Sequence, residues 1–168
     1  SNEAPTGSDV GPIASFEQTV ALQAGASTRL TASFPACGIT LWSPETPALY
    51  HLTATVLEED KDTRAATGID TPIPEPLDAE TVRFGFRSVS VDAVHGFRLN
   101  GIPRKLKGGC VHHDCGLLGS AAFARAEARK VELLKASGFD AVRCAHNPPS
   151  PAFLDACDRL GMLVIDEA

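Results

Sequence analysis

The chain has 168 residues, of which 43% are hydrophobic and 21% charged, and its net charge is −6. This composition is that of a globular protein rather than a disordered chain. No apolar run approaches the roughly 20 residues that span a bilayer, so we expect no membrane segment. The basic residues are scattered among acidic ones instead of forming a basic stripe, which argues against nucleic acid as a partner.

The N-terminus and the cysteines bear on the compartment. Residues 1–5 have neither the basic start nor the apolar stretch of a signal peptide. The five cysteines are an odd number, without the paired spacing of a secreted disulfide framework. We therefore expect a reducing compartment.

The first part of the chain, to about Val94, has a β pattern. Alternating apolar and polar residues predict three strands, at residues 28–34, 52–57 and 82–89. Prolines at residues 43–47 and 71–76 predict the loops between them, because proline cannot donate to a strand ladder. Several short strands separated by proline-rich loops favour a β-sandwich.

From residue 95 onward the period changes. A hairpin is predicted over residues 97–106, turning at Asn100-Gly101. Three short apolar strands and two helices then alternate. The strands are residues 107–111, 139–144 and 162–165, and the helices are residues 120–136 and 151–160. This order predicts a parallel sheet with helical crossovers.

Both helices carry sequence signals at their ends. Ser120 and Ser150 are the predicted N-caps, and Pro151 suits the first helical position. Gly138 and Gly161 are the predicted terminators, since glycine adopts the left-handed conformation that ends a helix.

Ionisable side chains follow all three strands. They are His112, His113 and Asp114 after the first, Arg143, His146 and Asn147 after the second, and Asp166 and Glu167 after the third. Functional side chains of parallel α/β folds lie at the carboxyl ends of the strands. Each residue alone could equally be a polar loop residue. Their coincidence at three consecutive strand ends favours a functional site.

The cysteines offer a rival chemistry. The stretch from Cys110 to Cys115 contains zinc-ligand types but lacks the paired Cys-x-x-Cys spacing, so a buried strand Cys110 and a loop thiol are the alternative. Cys144 and Cys157 could be thiol nucleophiles, although a cysteine inside a helix is more typical of a small apolar residue. No metal site and no cofactor is predicted.

Motifs along residues 39–168 add a specific resemblance. They are Trp42-Ser-Pro44-Glu-Thr-Pro47, Phe84-Gly-Phe-Arg87, Asn100-Gly-Ile-Pro103, His113-Asp114, Asp140-Ala-Val-Arg143-Cys-Ala-His146-Asn-Pro148 and Gly161-Met-Leu-Val-Ile-Asp166-Glu167-Ala168. In this order they resemble glycoside hydrolase family 2, which contains β-galactosidases, β-glucuronidases and β-mannosidases. The resemblance implies an immunoglobulin-like β-sandwich over residues 1–94, lacking its first strands, and the first three strands of a (β/α)8 TIM barrel over residues 95–168.

The resemblance also implies roles for residues. In the family, the acid/base Glu follows the fourth barrel strand and the nucleophile Glu the seventh, so no catalytic residue is expected in this chain, which should be inactive alone. Arg143 would support the nucleophile carboxylate. The implied substrate-binding residues are His113, Asp114, His146, Asn147 and Glu167. The implied mechanism is retaining hydrolysis by two carboxyl groups roughly 5 Å apart.

Three positions depart from the family pattern, which commonly has Asn at Asp140, Tyr at Asn147 and Arg at His112. The His146-Asn-Pro and His-His-Asp forms most resemble bacterial β-galactosidases. We therefore predict a homo-oligomeric hydrolase of terminal β-D-galactosides, in the bacterial cytoplasm. The alternatives are a β-glucuronidase or β-mannosidase, a non-catalytic carbohydrate-binding or scaffold module, and a small α/β redox or metal protein.

Overall fold

The structure is a computed structural model that describes residues 12–35, 37–58 and 75–167. The chain divides into two compact units. The first comprises residues 1–38 and 56–77, and the second residues 39–55 and 78–168. The domain boundary that we place at residue 94 stays a prediction.

The described part of the first unit has irregular backbone with turns, and its side chains are exposed. Its described residues form no helix, and Val56, the last residue of a strand, is the only one of them in a strand. The strand predicted over residues 28–34 is therefore wrong. Alternation makes a strand only where a neighbouring backbone completes the ladder, and residues 28–34 take part in no strand ladder among the described residues. Of the predicted loop at residues 71–76, positions 71–74 lie outside the described residues.

Five strands begin the second unit in two small sheets. β1 (Tyr50–Val56) and β2 (Asp78–Phe84) form one, and β3 (Val89–Asp92), β4 (Gly96–Leu99) and β5 (Ile102–Pro103) form the other, which is antiparallel. The hairpin prediction is confirmed, because Asn100 and Gly101 have φ values of 53° and 78° between β4 and β5, as a two-residue hairpin turn requires.

The strand predicted over residues 82–89 is interrupted, whereas the one over residues 52–57 is confirmed by β1. The Phe86 carbonyl accepts a hydrogen bond from the Trp42 N–H at 2.8 Å, so the backbone between β2 and β3 pairs with the Trp42 segment. Gly85 lies against the same tryptophan, and a Cβ there would be 3.2 Å from the Trp42 Cβ.

Three parallel strands follow, as predicted. They are β6 (Gly108–Val111), β7 (Ala141–Cys144) and β8 (Leu163–Ile165), in that order in the sheet. A short 3-10 helix (Gly116–Leu118) and α1 (Ala124–Ala136) connect β6 to β7, and α2 (Pro151–Leu160) connects β7 to β8. The register places Cys110, Arg143 and Ile165 side by side. The described residues thus form a three-stranded parallel sheet and no closed barrel.

The end signals of α2 are confirmed. The Ser150 hydroxyl accepts the Phe153 N–H at 3.2 Å, and Pro151 is the first helical residue. Gly161 ends the helix with φ +75°, and a Cβ there would lie 2.4 Å from the Pro44 carbonyl oxygen. Glycine is therefore required at this position both by conformation and by the neighbouring loop.

The predicted start of α1 at Ser120 is wrong. The helix begins at Ala124, and its N-cap Phe123 makes no side-chain cap. Successive turns occupy the intervening residues, since the Ala121 N–H donates to Leu118 and the Phe123 N–H to Ala121. Gly138, with φ +86°, follows the helix as expected.

The two faces of the parallel sheet differ. One face packs under both helices around a core of Val131, Val142, Cys144, Phe153, Ala156, Cys157 and Met162. On the opposite face, Trp42 and Leu99 cover Ala141 and Leu163 near the amino ends of the strands. Toward the carboxyl ends of that face, Ile165 remains 50% exposed. No described helix is both long and apolar enough to cross a membrane.

Candidate active site

The strand ends meet at Glu167. Its Oε1 accepts a hydrogen bond from Arg143 Nη2 at 2.7 Å, and its Oε2 accepts the backbone N–H of His146 at 2.9 Å. His146 has a φ of 71°, which is uncommon for a residue with a side chain. One carboxylate therefore joins the ends of β7 and β8, and it helps to hold the backbone of His146 in a left-handed turn.

These contacts fix the charges of the pair. The N–H of His146, followed by the guanidinium of Arg143, lowers the pKa of Glu167. The contacts of Arg143 with Cys110 and Glu167 raise the pKa of its guanidinium. At neutral pH the site thus contains a carboxylate and a guanidinium that are both ionised. Arg143 lies on the same face of the sheet as Ile165, toward the carboxyl ends of the strands, where Trp42 and Leu99 do not cover it. Its side chain is 42% exposed, so a reactant could reach it.

The loop after β6 approaches the loop after β7. His113 Nε2 lies 3.1 Å from the Pro148 carbonyl oxygen, which indicates that this nitrogen carries the proton. The rings of His112 and His146 are neighbours, with centroids 5.7 Å apart. Asp114 is exposed and its backbone N–H donates to the His112 carbonyl. The structure therefore gathers the predicted histidines at one edge of the sheet.

Asn147 lies in the loop that follows β7. It lines a recess between the strand ends and the helices, together with His112, His113 and Ser150. The roles in sugar binding assigned to His113, Asp114, His146, Asn147 and Glu167 remain predictions, and so does the support of a nucleophile by Arg143.

Sequence reasoning missed two features near the site. Cys110 is exposed rather than buried, because it shares the uncovered face with Arg143, whose Nη1 lies 3.5 Å from its sulfur. Glu127 and Lys130 of α1 also border the recess. Their spacing of three along a helix is common on solvated faces, so the sequence carries no signal that this pair is buried.

The thiol alternative loses support from the surroundings of the cysteines. Burial raises the pKa of Cys157 to about 12, and burial also raises the pKa of Cys144. Both thiols therefore stay protonated at neutral pH, whereas a nucleophile needs the thiolate. Within the described ranges, no three His, Cys, Asp or Glu side chains are grouped so that they could hold a metal ion.

A sheet of βαβ units with charged side chains at the carboxyl ends of its strands has the arrangement in which the active sites of parallel α/β proteins lie. The family model for the TIM barrel domain of glycosyl hydrolases family 2 matches residues 89–168, and the model described as glycosyl hydrolases family 2 matches residues 6–87. The chain belongs to glycoside hydrolase family 2. The predicted fold class, a family 2 sandwich domain followed by the start of a TIM barrel, is confirmed.

Curated relatives share this part of their sequences. The β-galactosidase BoGH2A of Bacteroides ovatus is 42% identical over 128 residues, which are 76% of this chain and 13% of that protein. A putative β-glucuronidase of Formosa agariphila is 39% identical over 127 residues, 76% of this chain and 11% of that protein. The chain thus spans little more than a tenth of the length of these relatives.

A solved structure agrees with the fold. A glycosyl hydrolase family 2 member from Bacteroides cellulosilyticus matches this structure with a TM-score of 0.65 and 52% sequence identity. The match covers 77% of this chain and 15% of the chain of that protein. The family resemblance drawn from the motifs is therefore confirmed.

Proposed function

We propose that these residues belong to a retaining glycosidase that hydrolyses terminal β-D-galactosides. The observation that carries the proposal is the Arg143–Glu167–His146 arrangement at the ends of β7 and β8. It stands in a chain that is 42% identical over 128 residues to a β-galactosidase. In our proposal, the acid/base and the nucleophile glutamates are contributed by barrel strands beyond residue 168.

The described side chains would serve the reaction by binding and electrostatics. Retaining hydrolysis needs a nucleophilic carboxylate that is ionised and aimed at the anomeric carbon. A permanent guanidinium beside that carboxylate favours its ionised form. Arg143 would supply this charge, with its orientation set by Glu167. His113, Asp114, His146, Asn147 and Glu167 would contact the sugar hydroxyls or hold the groups that do.

A β-glucuronidase is the second candidate, because a putative β-glucuronidase is 39% identical over 127 residues. The two sugars differ at C6, where galactose has a neutral hydroxymethyl group and glucuronic acid a carboxylate. A site for the second needs an additional cation. A β-mannosidase is the remaining alternative within the family.

The test is a substrate panel on the intact glycosidase that contains these residues. We expect kcat/KM for an aryl β-galactoside to exceed that for the matching β-glucuronide and β-mannoside by at least about a hundredfold, as binding of the correct hydroxyl pattern allows. A preference for the glucuronide would overturn the galactosidase proposal. Hydrolysis of the aryl glycoside by the 168-residue chain alone would overturn the proposal that both catalytic glutamates lie outside these residues.

We also propose that the chain self-associates. Its sheet leaves Ile165 50% exposed, and Val91 and Ile102 of the β3–β5 sheet are 73% and 69% exposed. Exposed apolar residues and sheet edges favour pairing. Light scattering should give a mass above one chain at roughly 100 µM, a concentration at which weak contacts become populated. A monomer under these conditions would contradict the proposal.

The proposed location is the bacterial cytoplasm. It is supported by the thiols of Cys37, Cys110, Cys115, Cys144 and Cys157, all of which are free. Free thiols are typical of a reducing compartment. Fractionation of the producing cell would test it, and recovery of the intact protein in the medium or at the cell surface would contradict it.

A further inference from the structure

An ion pair between a buried glutamate and a partly buried lysine lies on α1, next to the loops of the candidate site. Glu127 Oε2 is 3.2 Å from Lys130 Nζ, and the two side chains are 2% and 17% exposed. Charged side chains are seldom buried to this degree unless they are paired. The mechanism proposed above does not use either residue.

Lys130 connects α1 to the loop that follows β6. Its Nζ donates to the His112 carbonyl oxygen at 3.3 Å and lies 5.7 Å from the centroid of the Phe153 ring. The same carbonyl accepts the Asp114 N–H at 2.8 Å. The ammonium group therefore contacts Glu127 and Phe153, and it also donates to the His112 carbonyl, which is the acceptor of the turn over residues 112–114.

A buried ion pair is weak evidence of a stabilising role. Replacing a buried ion pair by apolar side chains of similar volume is often neutral or stabilising, because the desolvation of two charges is costly. The hydrogen bond from Lys130 to the His112 carbonyl is directional, and an apolar side chain at this position could not make it. That contact ties the loop to α1, and the contact of His113 Nε2 with the Pro148 carbonyl oxygen at 3.1 Å ties it to the loop after β7.

We propose that Glu127 and Lys130 are positioning residues, which fix the loop of residues 112–114 so that the His112 and His113 rings are held at the candidate site. Glu127 orients Lys130, and Lys130 holds the loop. This inference rests on the proposed function only for its catalytic consequence, since the placement of the loop can be measured without any sugar.

The first experiment removes the pair while keeping its volume. In the 168-residue chain, we compare Glu127→Leu/Lys130→Met with the unaltered protein by NMR with histidine-selective labelling, which is practicable because the chain has five histidines. The readout is the nuclear Overhauser contact between the His112 and His146 rings, whose centroids are 5.7 Å apart. We expect this contact to be lost, whereas Tm stays within about 3 °C of the unaltered chain or rises.

Two further variants serve as controls. Lys130→Arg keeps a cation that can reach the carbonyl, so the ring contact should persist. Arg125→Met/Glu132→Leu removes the exposed ion pair of the same helix, whose Nη1–Oε1 distance is 3.0 Å and whose side chains are 72% and 46% exposed. This variant makes the same change of composition away from the loop, and its ring contact should also persist.

The outcomes separate a positioning role from a structural one. If the ring contact persists in Glu127→Leu/Lys130→Met, other contacts hold the loop and the inference is overturned. If the contact is lost only together with a fall in Tm of more than about 3 °C, the pair is structural and the inference is likewise overturned.

A kinetic arm tests the link to the reaction. In the intact glycosidase, Glu127→Leu/Lys130→Met should lower kcat/KM for the best substrate of the panel by at least about tenfold, as a misplaced binding group does, whereas Lys130→Arg should retain most of it. An unchanged kcat/KM would overturn the link. If the intact protein cleaves no β-glycoside, the proposed function fails while the NMR result still decides where the loop is held.

Discussion

Glu167 and Arg143 make different contributions although they share a hydrogen bond. The guanidinium is partly exposed at the carboxyl ends of the strands, whereas both carboxylate oxygens accept hydrogen bonds, one from Arg143 and one from the N–H of His146. A carboxylate used in this way orients its partners, which then act on the substrate. Removal of such a supporting partner typically costs about 10- to 100-fold in activity.

The substitution Glu167→Gln tests this difference. Glutamine keeps the shape but loses the charge, so it binds the guanidinium and the His146 N–H more weakly. In the intact glycosidase we expect kcat/KM to fall by about tenfold or more. Glu132→Gln, on the exposed side of α1, is the matched control and should change it by less than about twofold. A kcat/KM for Glu167→Gln within twofold of the unaltered enzyme would show that Glu167 positions nothing.

Single residues also show where prediction from sequence reached its limit. The strand-end rule located Arg143, His146 and Glu167, because parallel strands bring their carboxyl ends to one edge. It could not show that Glu167 would bond to Arg143, since that depends on which neighbouring strand lies alongside. Burial of Glu127 was likewise hidden, because it is set by the packing of α1 against the loops and not by the local pattern.

At the scale of elements, α1 and α2 contrast in how they begin. Both were predicted to start at a serine cap, and only α2 does so. Ser150 has a proline after it and meets the Phe153 N–H, whereas Ser120 is followed by turns that delay α1 until Ala124. The three parallel strands and the two helices could be predicted from short-range sequence patterns. The start of α1 could not, because it depends on the turns between α1 and the 3-10 helix.

This contrast gives a prediction with an internal control. Ser150→Ala removes the side-chain acceptor of α2 and should lower the free energy of unfolding by about 1 kcal/mol. Ser120→Ala should change it by less than about 0.5 kcal/mol, because that hydroxyl caps no helix. Urea unfolding of both variants, followed by circular dichroism, provides the values. A larger loss for Ser120→Ala than for Ser150→Ala would contradict the assignment.

Across the second unit, charged contacts tie the chain together and make its stability depend on pH. Four carboxyl groups have a lowered pKa, namely Glu45, Asp92, Asp155 and Glu167. The hydrogen bond to Arg104 lowers the pKa of Glu45 from 4.5 to about 2. Burial instead raises the pKa of Asp158, so this group opposes the other four.

The sign of the effect follows from proton linkage. A carboxyl group whose pKa is lowered by folding stabilises the protein above its unfolded-state pKa, and this contribution is lost as the pH falls through the folded-state pKa. We therefore expect the urea midpoint to fall between about pH 5 and pH 2. The exposed fraction of Glu45 is 63%, so solvent screens its share.

The contribution of Arg104 can be tested with Arg104→Gln, which removes its contact with Glu45 and its longer contact with Asp140. Arg104 Nη1 lies 3.0 Å from Glu45 Oε2, and the substitution returns the pKa of Glu45 toward its ordinary value. The fall of the urea midpoint on acidification should therefore be shallower in this variant than in the unaltered chain. An equally steep fall would show that this contact does not contribute to the acid sensitivity.

The central claim is that the strand ends of this chain form part of a glycosidase active site, and Arg143→Ala in the intact glycosidase tests it most directly. Loss of a charge that acts on the reacting groups should lower kcat by about 10²- to 10³-fold, with folding verified by circular dichroism. Arg159→Ala, which removes an exposed guanidinium paired with Asp155 on α2, should leave kcat within about twofold. A kcat for Arg143→Ala within about threefold of the unaltered enzyme, a difference under 1 kcal/mol in activation free energy, would contradict the claim.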